Sequence, residues 1–463
     1  MTATDKLDVI VAGAGISGLT TAWELHRAGH RVRVLEAASR PGGAIGTTRE
    51  AGALVEAGPN SMLETSPLIA KLVGEVGLAG ERVEASGEAK KRFILRGGRL
   101  IPVPTSPGAF FSTPLFSAGT KLGLLREPFV ARYAGASEET VAGFVRRRLG
   151  PEFLDYAINP FVAGVYAGDP ERLSVKAAFP RLADLEANYG SLIRGAILGA
   201  RERKRNPEKS KQTASMMSFR EGMQSLTDAI ARRLPAVETD SRVLAYRREP
   251  DGRFVVTVGG SAGVRELDSR ALVLSLPADP TAELVAPHSR DAAEALREIP
   301  YPPVASVVMV FGRDRVAHPL DGFGFLVPEK EKRRILGTIF SSTLFANRAP
   351  ADRVVLTTFV GGTRQPEIAL QDDAALLATV KSELVQLIGA SGEPIAARVS
   401  RWARAIPQYN LGHLDRVARV ERLSGEQPGL FTCANWRGGI SVGDCIKAAY
   451  ATAERAGRFL GAA

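Results

Sequence analysis

The chain of 463 residues has only two cysteines, Cys433 and Cys445, both near its C-terminal end. So few thiols exclude a disulfide framework and point to a reducing compartment. Histidine is nearly as scarce. His26, His30, His288, His318 and His413 are scattered, no set of them has metal-ligand spacing, and no metal is expected. No Ser–His–Asp or Cys–His arrangement offers an activated nucleophile. Rings are few, with aromatics at 6%. The charged run Arg201-Glu202-Arg203-Lys204-Arg205, continuing to Lys211, contains none of them, so nucleic acid is not an expected partner. Also missing is an unbroken membrane span. The uncharged run Leu100 to Thr120 is 21 residues long, enough to cross a bilayer, but Pro102, Pro104, Pro107 and Pro114 interrupt it. The opening segment MTATDKLDVIVAGAG carries Asp5 and Asp8 and reads as neither a signal nor a transit peptide. A cytoplasmic protein is the expectation.

What is present is an ordinary folded composition, 45% apolar and 24% charged, long enough for two or three sub-domains. Lys and Arg exceed Asp and Glu by ten, a balance that favours anionic partners such as a carboxylated substrate or an anionic lipid surface. The first informative segment is Leu7 to Ala12, an apolar strand. Gly13-Ala14-Gly15-Ile16-Ser17-Gly18 follows it, then a helical pattern stopped at Gly29, then a second strand ending at Glu36. Glycines at these three places serve a tight turn, close approach of a pyrophosphate, and helix-on-strand packing. The pyrophosphate would sit on the unpaired N–H groups of the helix start. Glu36, 18 residues after Gly18, can accept from both ribose hydroxyls and would repel a 2′-phosphate.

Arg40-Pro41-Gly42-Gly43 follows. It resembles the RxGG element of the FAD-binding amine oxidase superfamily, which implies FAD rather than a nicotinamide cofactor. Further along, residues 66–79 read as a helix and 90–104 as a hairpin about Gly97-Gly98; 105–200 read as mostly helical and 201–211 as a charged loop. Residues 219–234 read as a helix and 271–278 as a buried strand. Residues 304–311, 334–340 and 353–361 read as sheet, 372–389 as a helix, 429–436 as a last strand and 441–460 as a helix. Strand–glycine–helix units at both ends suggest one cofactor domain built from both termini.

Asn435-Trp436-Arg437-Gly438-Gly439-Ile440-Ser441-Val442 resembles the superfamily's second FAD element, a turn whose N–H groups face the flavin ring. The segments Gly322–Pro328, Leu336–Ser342, Thr357–Gly362 and Ile406–His413 are similar to those of oxygen-dependent protoporphyrinogen oxidases, and the likeness runs from about residue 7 to 460. The resemblance implies an α/β and α+β chain. Its parts would be a Rossmann-like FAD domain (1–80, 219–268 and 396–463), a mixed-sheet substrate domain (81–104, 201–218 and 269–395) and a helical membrane-binding insertion (105–200). It implies FAD contacts at Gly13, Ala14, Gly15, Ile16, Ser17, Gly18, Glu36, Ala37, Arg40, Gly42, Gly43, Gly58, Pro59, Asn60, Ser61, Val243, Trp402, Asn435, Gly439, Ile440, Ser441 and Val442. Arg92 would pair with a substrate propionate as a guanidinium fork. Leu326 and Ile339 would pack on one face of a tetrapyrrole and Phe359 on the other, with Phe323, Gly324 and Asn60 close by.

The implied reaction aromatises protoporphyrinogen IX in three two-electron rounds, with O2 as acceptor and H2O2 as by-product. It needs no side-chain acid or base. Coproporphyrinogen III oxidation on the same fold stays open, as does another flavin amine or carotenoid oxidoreductase. Phe110, Phe111, Leu115 and Phe116, with Lys121, Arg126 and Arg132, are expected at the cytoplasmic face of the cell membrane as a monotopic attachment. A homodimer and handover of product to ferrochelatase are further implications of the resemblance.

Overall fold

The computed structural model describes residues 7–135, 137–199, 208, 214–261 and 263–462. Most of the charged run 201–211 lies outside them. The strand Leu7–Ala12, all apolar but for Asp8, is the centre of a seven-stranded sheet. Val32–Leu35 runs parallel on one side of it, followed by Val237–Glu238. On the other side lies the long strand Gly263–Leu274. Its first half pairs antiparallel with Phe254–Gly260, while its second half pairs parallel with Leu7–Ala12 and with Leu430–Thr432. The two ends of the chain thus share one sheet. Helices Ile16–Arg27 and Val442–Ala462 pack together on one face, burying Leu19, Leu25, Ile446 and Ala449. On the other face Leu272, Leu274, Val285 and Leu296 join a second core.

A second seven-stranded sheet runs in the order Ala396–Trp402, Val304–Gly312, Arg353–Gly361, Gly337–Phe340, Gly324–Leu326, Phe93–Arg96, Arg99–Pro102. Alternation of side chains gives it two faces. Met309, Phe311, Leu356 and Phe340 pack on helix Asp373–Ile388. At one end of the opposite face, Val308, Val310 and Val355 pack on Ala53 and Val55 of the hairpin Thr47–Glu50/Ala53–Glu56. At its other end this face carries the residues expected to line a substrate slot. Between the two sheets' sequences lies a set of short helices from Pro107 to Leu198.

Several boundaries differ from the sequence reading for local reasons. The helix expected from 219 begins at Gln224. Phe219 closes a strand, Gly222 has φ +93°, and the Met223 N–H is taken by the Glu56 carboxylate at 2.9 Å. The strand expected to reach 278 stops at Leu274, where Ser275 donates back to the Ala12 carbonyl. Ala396–Trp402, expected with the cofactor part, pairs with Val304–Val310 in the second sheet, and the strand Gly263–Leu274 runs across the expected boundary at 268. The interrupted run 100–120 is exposed over much of its length, but its centre turns inward. Leu115 and Phe116 are buried with Ile94 and Tyr156, and Phe116 stacks on Phe153 at 4.8 Å.

Candidate functional site

The loops that follow the parallel strands of the first sheet converge at their carboxyl ends, the place where open α/β sheets bind ligands. Gly13 has φ +101°, and a Cβ there would lie 2.4 Å from the Ser275 carbonyl oxygen. At Gly18 a Cβ would lie 2.0 Å from the Gly13 carbonyl. Gly15 differs: a Cβ there meets nothing within 4 Å. The outer two glycines are therefore required by the protein's own packing, and the middle one faces open space. That pattern fits a bound pyrophosphate. Ile16 and Ser17 begin the helix behind it.

Glu36 stands at the end of Val32–Leu35. One of its carboxylate oxygens accepts from the Ala14 N–H at 2.7 Å and the other from the Ala38 N–H at 2.9 Å, with Ala37 exposed between. The Ser241 N–H donates to the Glu36 carbonyl at 2.8 Å, which brings Val243 to the same corner. The loop 40–46 folds against the first glycines, since the Gly42 N–H donates to the Ala14 carbonyl at 2.8 Å and Gly43 packs on Gly15. Arg40 wraps this loop, donating to the carbonyls of Pro41, Gly43 and Ile45 at 3.0, 3.2 and 2.8 Å. Its charge is spent on shaping the loop.

The turn Gly58-Pro59-Asn60-Ser61 lies against that loop, for a Cβ at Gly58 would lie 2.2 Å from the Ala44 carbonyl. Trp402 donates to the Ala57 carbonyl at 3.1 Å, tying the second sheet to the same turn. Arg348 donates to the Asn60 carbonyl at 3.1 Å and to Ser218 at 2.6 Å, and forms an ion pair with Glu56 at 3.1 Å; both charged side chains are 2% exposed. Burial pushes the Glu56 carboxyl up and the Arg348 guanidinium down from their ordinary ranges, with each other's charge opposing the shift. Neither residue was singled out by sequence. They meet only because the hairpin 47–56 packs beneath the loop after Phe340.

The C-terminal turn closes the arrangement. Gly438 and Gly439 both have positive φ, +79° and +118°. Ser441 caps helix Val442–Ala462, accepting from the Asp444 N–H at 3.2 Å and donating to its carboxylate at 2.6 Å. Gly443 packs on Leu63 and Ile69, which sets the helix start beside the strand after Ser61. Trp436 is fully buried and donates to Leu276. Tyr409, another residue sequence did not single out, reaches this turn with its hydroxyl, which donates to the Asn435 carbonyl and accepts from the Gly439 N–H.

Register places the expected substrate residues together. Gly324 pairs with Ile339, and Leu326 with Gly337, which in turn pairs with Phe359. Residues directly opposite one another share a face, so Leu326, Ile339 and Phe359 project from one face of one sheet. All three are half-buried, whereas the intervening Phe325, Thr338 and Phe340 are buried. The same face continues through Ser306 and Val304 to Trp402. Leu326 packs on Gly164 of helix Asn159–Tyr166, where a Cβ would come within 2.5 Å of it. Gly324 has φ +141°, and a Cβ there would lie 2.1 Å from the Thr338 carbonyl, so the strand pairing itself requires glycine at this point. Arg92, just before Phe93–Arg96, is exposed, with its guanidinium 5.3 Å from the centre of the Phe323 ring. Among the described residues no carboxylate is within ion-pair reach of it.

The Flavin containing amine oxidoreductase family matches residues 16–456. Over 95% of this chain and 92% of its own length, a mitochondrial protoporphyrinogen oxidase of Nicotiana tabacum is 35% identical. A coproporphyrinogen III oxidase of Bacillus subtilis is 26% identical over 95% of this chain and 96% of its own. The crystal structure of a protein from Exiguobacterium sp. 255-15 superposes with a TM-score of 0.81 at 25% identity, covering 98% of this chain and 99% of that one.

Proposed function

Because the chain belongs to the flavin-containing amine oxidoreductases, and within them to the protoporphyrinogen oxidase family, we propose that this FAD-dependent oxidoreductase converts protoporphyrinogen IX to protoporphyrin IX with O2 as acceptor. Bound FAD supplies the two-electron oxidation. The residues fitted to hold it are the loop 13–18 for the pyrophosphate, Glu36 for the ribose, and the turns 40–43, 58–61 and 435–442 for the ring.

The observation that carries the substrate assignment is the distribution of charge on the second sheet. The slot half of its face presents Leu326, Ile339, Phe359 and Trp402, and Arg92, a cation unpaired among the described residues, stands at its rim. A macrocycle whose carboxylates sit on one edge suits this: an apolar body against the sheet, a propionate on the Arg92 fork. Phe323 under the guanidinium holds that fork flat. Four propionates, as in coproporphyrinogen III, would put charge against apolar side chains, and burying an unpaired carboxylate is expensive. No titratable side chain on this face is offered as base. The chain's part is to position the ring and exclude water. Anaerobic flavin reduction by the two porphyrinogens decides between them. Protoporphyrinogen IX is expected to be at least tenfold faster, and equal or greater speed with coproporphyrinogen III would overturn the assignment.

The reading extends to the membrane. No helix among the described residues is long and apolar enough to cross one. Yet Phe129 is 82% exposed, Leu122 64% and Leu125 63%, with Ile197 and Leu198 similarly bare. These two stretches are held side by side by Glu127, which is buried, accepts from the N–H groups of Leu192 and Ile193 at 2.8 and 3.1 Å, and pairs with buried Arg148 at 3.0 Å. Exposed Arg126, Arg132 and Arg194 lie around the patch, while Lys121 is occupied by the Phe111 and Thr113 carbonyls. An apolar surface ringed by arginine is suited to the cytoplasmic face of an anionic bilayer. The lipid contact is therefore assigned to 122–129 and 197–198 with Phe111, not to Leu115 and Phe116. A homodimer and product handover to a ferrochelatase belong to the same reading; sedimentation and a coupled chelation assay test them.

A further inference from the structure

We infer that Tyr409 is a positioning residue that fixes the flavin-facing turn Asn435–Val442, and through it the ease with which the flavin is reduced. The inference rests on FAD lying against that turn as proposed above. The turn needs an external hold. Gly438 and Gly439 are both in left-handed conformations that a chain of glycines leaves and re-enters freely. Its ends are joined instead by one side chain. The Tyr409 hydroxyl donates its single proton to the Asn435 carbonyl at 2.6 Å and accepts from the Gly439 N–H at 3.0 Å.

Tyr409 itself has little freedom. It is 3% exposed, its ring stacks on His413 at 4.0 Å with 14° between planes, and the edge of Tyr166 stands 6.0 Å away. Its carbonyl accepts from the Ser174 N–H at 2.9 Å, which ties it to the helical insertion. His413 adds a second hold, since its Nε2 bonds the Trp436 carbonyl at 2.9 Å. The Gly439 N–H is consumed by this bridge. The donors left to face a ligand are therefore the turn's other N–H groups and those at the start of helix Val442–Ala462, and the bridge sets their direction. Donors fixed in advance toward a developing negative charge stabilise it without reorganising, whereas donors on a slack turn do not.

Tyr409→Phe keeps the ring and removes the bridge. The holoenzyme is expected to retain FAD but to hold its reduced form about tenfold less tightly relative to the oxidised form, which is about 30 mV more negative for a two-electron couple. Anaerobic flavin reduction should slow about tenfold, with the substrate's half-saturation constant within twofold of wild type. Tyr166→Phe is the control. Its ring packs beside Tyr409, but its hydroxyl bonds the Ala178 carbonyl at 3.0 Å and no backbone group of the turn, so its loss should leave the bridge intact and the potential unchanged. An unaltered potential in Tyr409→Phe, or an equal shift in Tyr166→Phe, would overturn the inference. Should Tyr409→Phe not accumulate, wild-type holoenzyme labelled with 13C at tyrosine Cζ answers the same question. The Tyr409 resonance should move on dithionite reduction by more than that of Tyr166; a Tyr409 signal indifferent to reduction overturns the role. Because dithionite replaces substrate, these readouts stand even if no porphyrinogen is oxidised. A wild type unable to take up FAD would instead defeat the site assignment.

Discussion

Gly15→Ala separates a glycine kept for a ligand from glycines kept for the fold. At Gly15 the backbone has φ −71° and ψ 173°, which alanine adopts without strain, and the added methyl meets no protein atom within 4 Å. On the protein's own account the substitution should be harmless or helpful, since alanine at a compatible position stabilises by about 0.4–1 kcal/mol through the unfolded chain. The methyl would, however, occupy space assigned to the pyrophosphate. Overpacking of that kind costs about 1–3 kcal/mol, so FAD should bind roughly 5- to 150-fold more weakly. Gly13→Ala and Gly18→Ala should behave in the opposite sense. Their methyls fall 2.4 and 2.0 Å from carbonyl oxygens, so the apoprotein itself should melt lower. The assay is thermal unfolding of the three apoproteins beside FAD titration followed by flavin fluorescence. A Gly15→Ala protein with wild-type FAD affinity, or one whose apo form is destabilised like Gly18→Ala, would refute the reasoning.

Removing one member of the buried Glu56–Arg348 pair should cost about 3–5 kcal/mol, as an uncompensated buried charge does. For 463 residues unfolding together, with an entropy near 1 kcal/mol/K, that is roughly 4 °C in melting temperature. The double variant Glu56→Gln/Arg348→Met should lose at least about 2 kcal/mol less than the two singles combined; simple additivity would contradict the pairing. Arg92→Ala should raise the half-saturation constant for porphyrinogen about tenfold with little change in maximal rate, as loss of one partly hydrated charge-assisted bond would. An unchanged constant removes its propionate role. Phe129→Ser/Leu125→Ser should weaken sedimentation with anionic vesicles at least tenfold while leaving activity in detergent intact; unaltered binding moves the lipid contact elsewhere.

His413 gives a pH test. Burial lowers its pKa to about 4 from an ordinary 6.5, so its contribution is fully present above pH 6.5 and is lost as pH falls toward 4, roughly 3 kcal/mol in all. His413→Gln should flatten urea midpoints between pH 6.5 and 4, and an unflattened profile would show that another group governs acid sensitivity.

Much of the first sheet and its glycine loop was legible because the signals are local. Alternation of strand, turn and helix between Leu7 and Glu36 is written within thirty residues, and the structure places Leu7–Ala12, Ile16–Arg27 and Val32–Leu35 there. The shared face of Leu326, Ile339 and Phe359 needed the resemblance to be named, for apolar strands from separate segments do not announce their register. What could not be read depends on contacts between distant parts. Arg348 looks like any surface arginine until the hairpin ending at Glu56 is packed beneath it. Tyr409 sat in a noted segment, but its hydroxyl acquires a purpose only from a turn 26 residues later. Which apolar side chains stay exposed cannot be ranked from sequence either. Leu115 and Phe116 of the run 100–120 fold inward on Phe153 and Tyr156, while Leu122, Leu125 and Phe129, in a stretch broken by Arg126 and Glu127, face out.

The strand Gly263–Leu274 also sets a timetable for synthesis. Leu7–Ala12 emerges before its parallel neighbour on that side, which follows 262 residues later, at Ser269, and that neighbour's own parallel partner, Leu430–Thr432, comes later still. At about 5–20 residues per second the first strand waits roughly 10–50 s with one edge open. During that interval the ribosome-bound chain is a target for intermolecular pairing. Yield in a heterologous host should therefore respond to elongation rate and holdase supply more than to any substitution at the active centre.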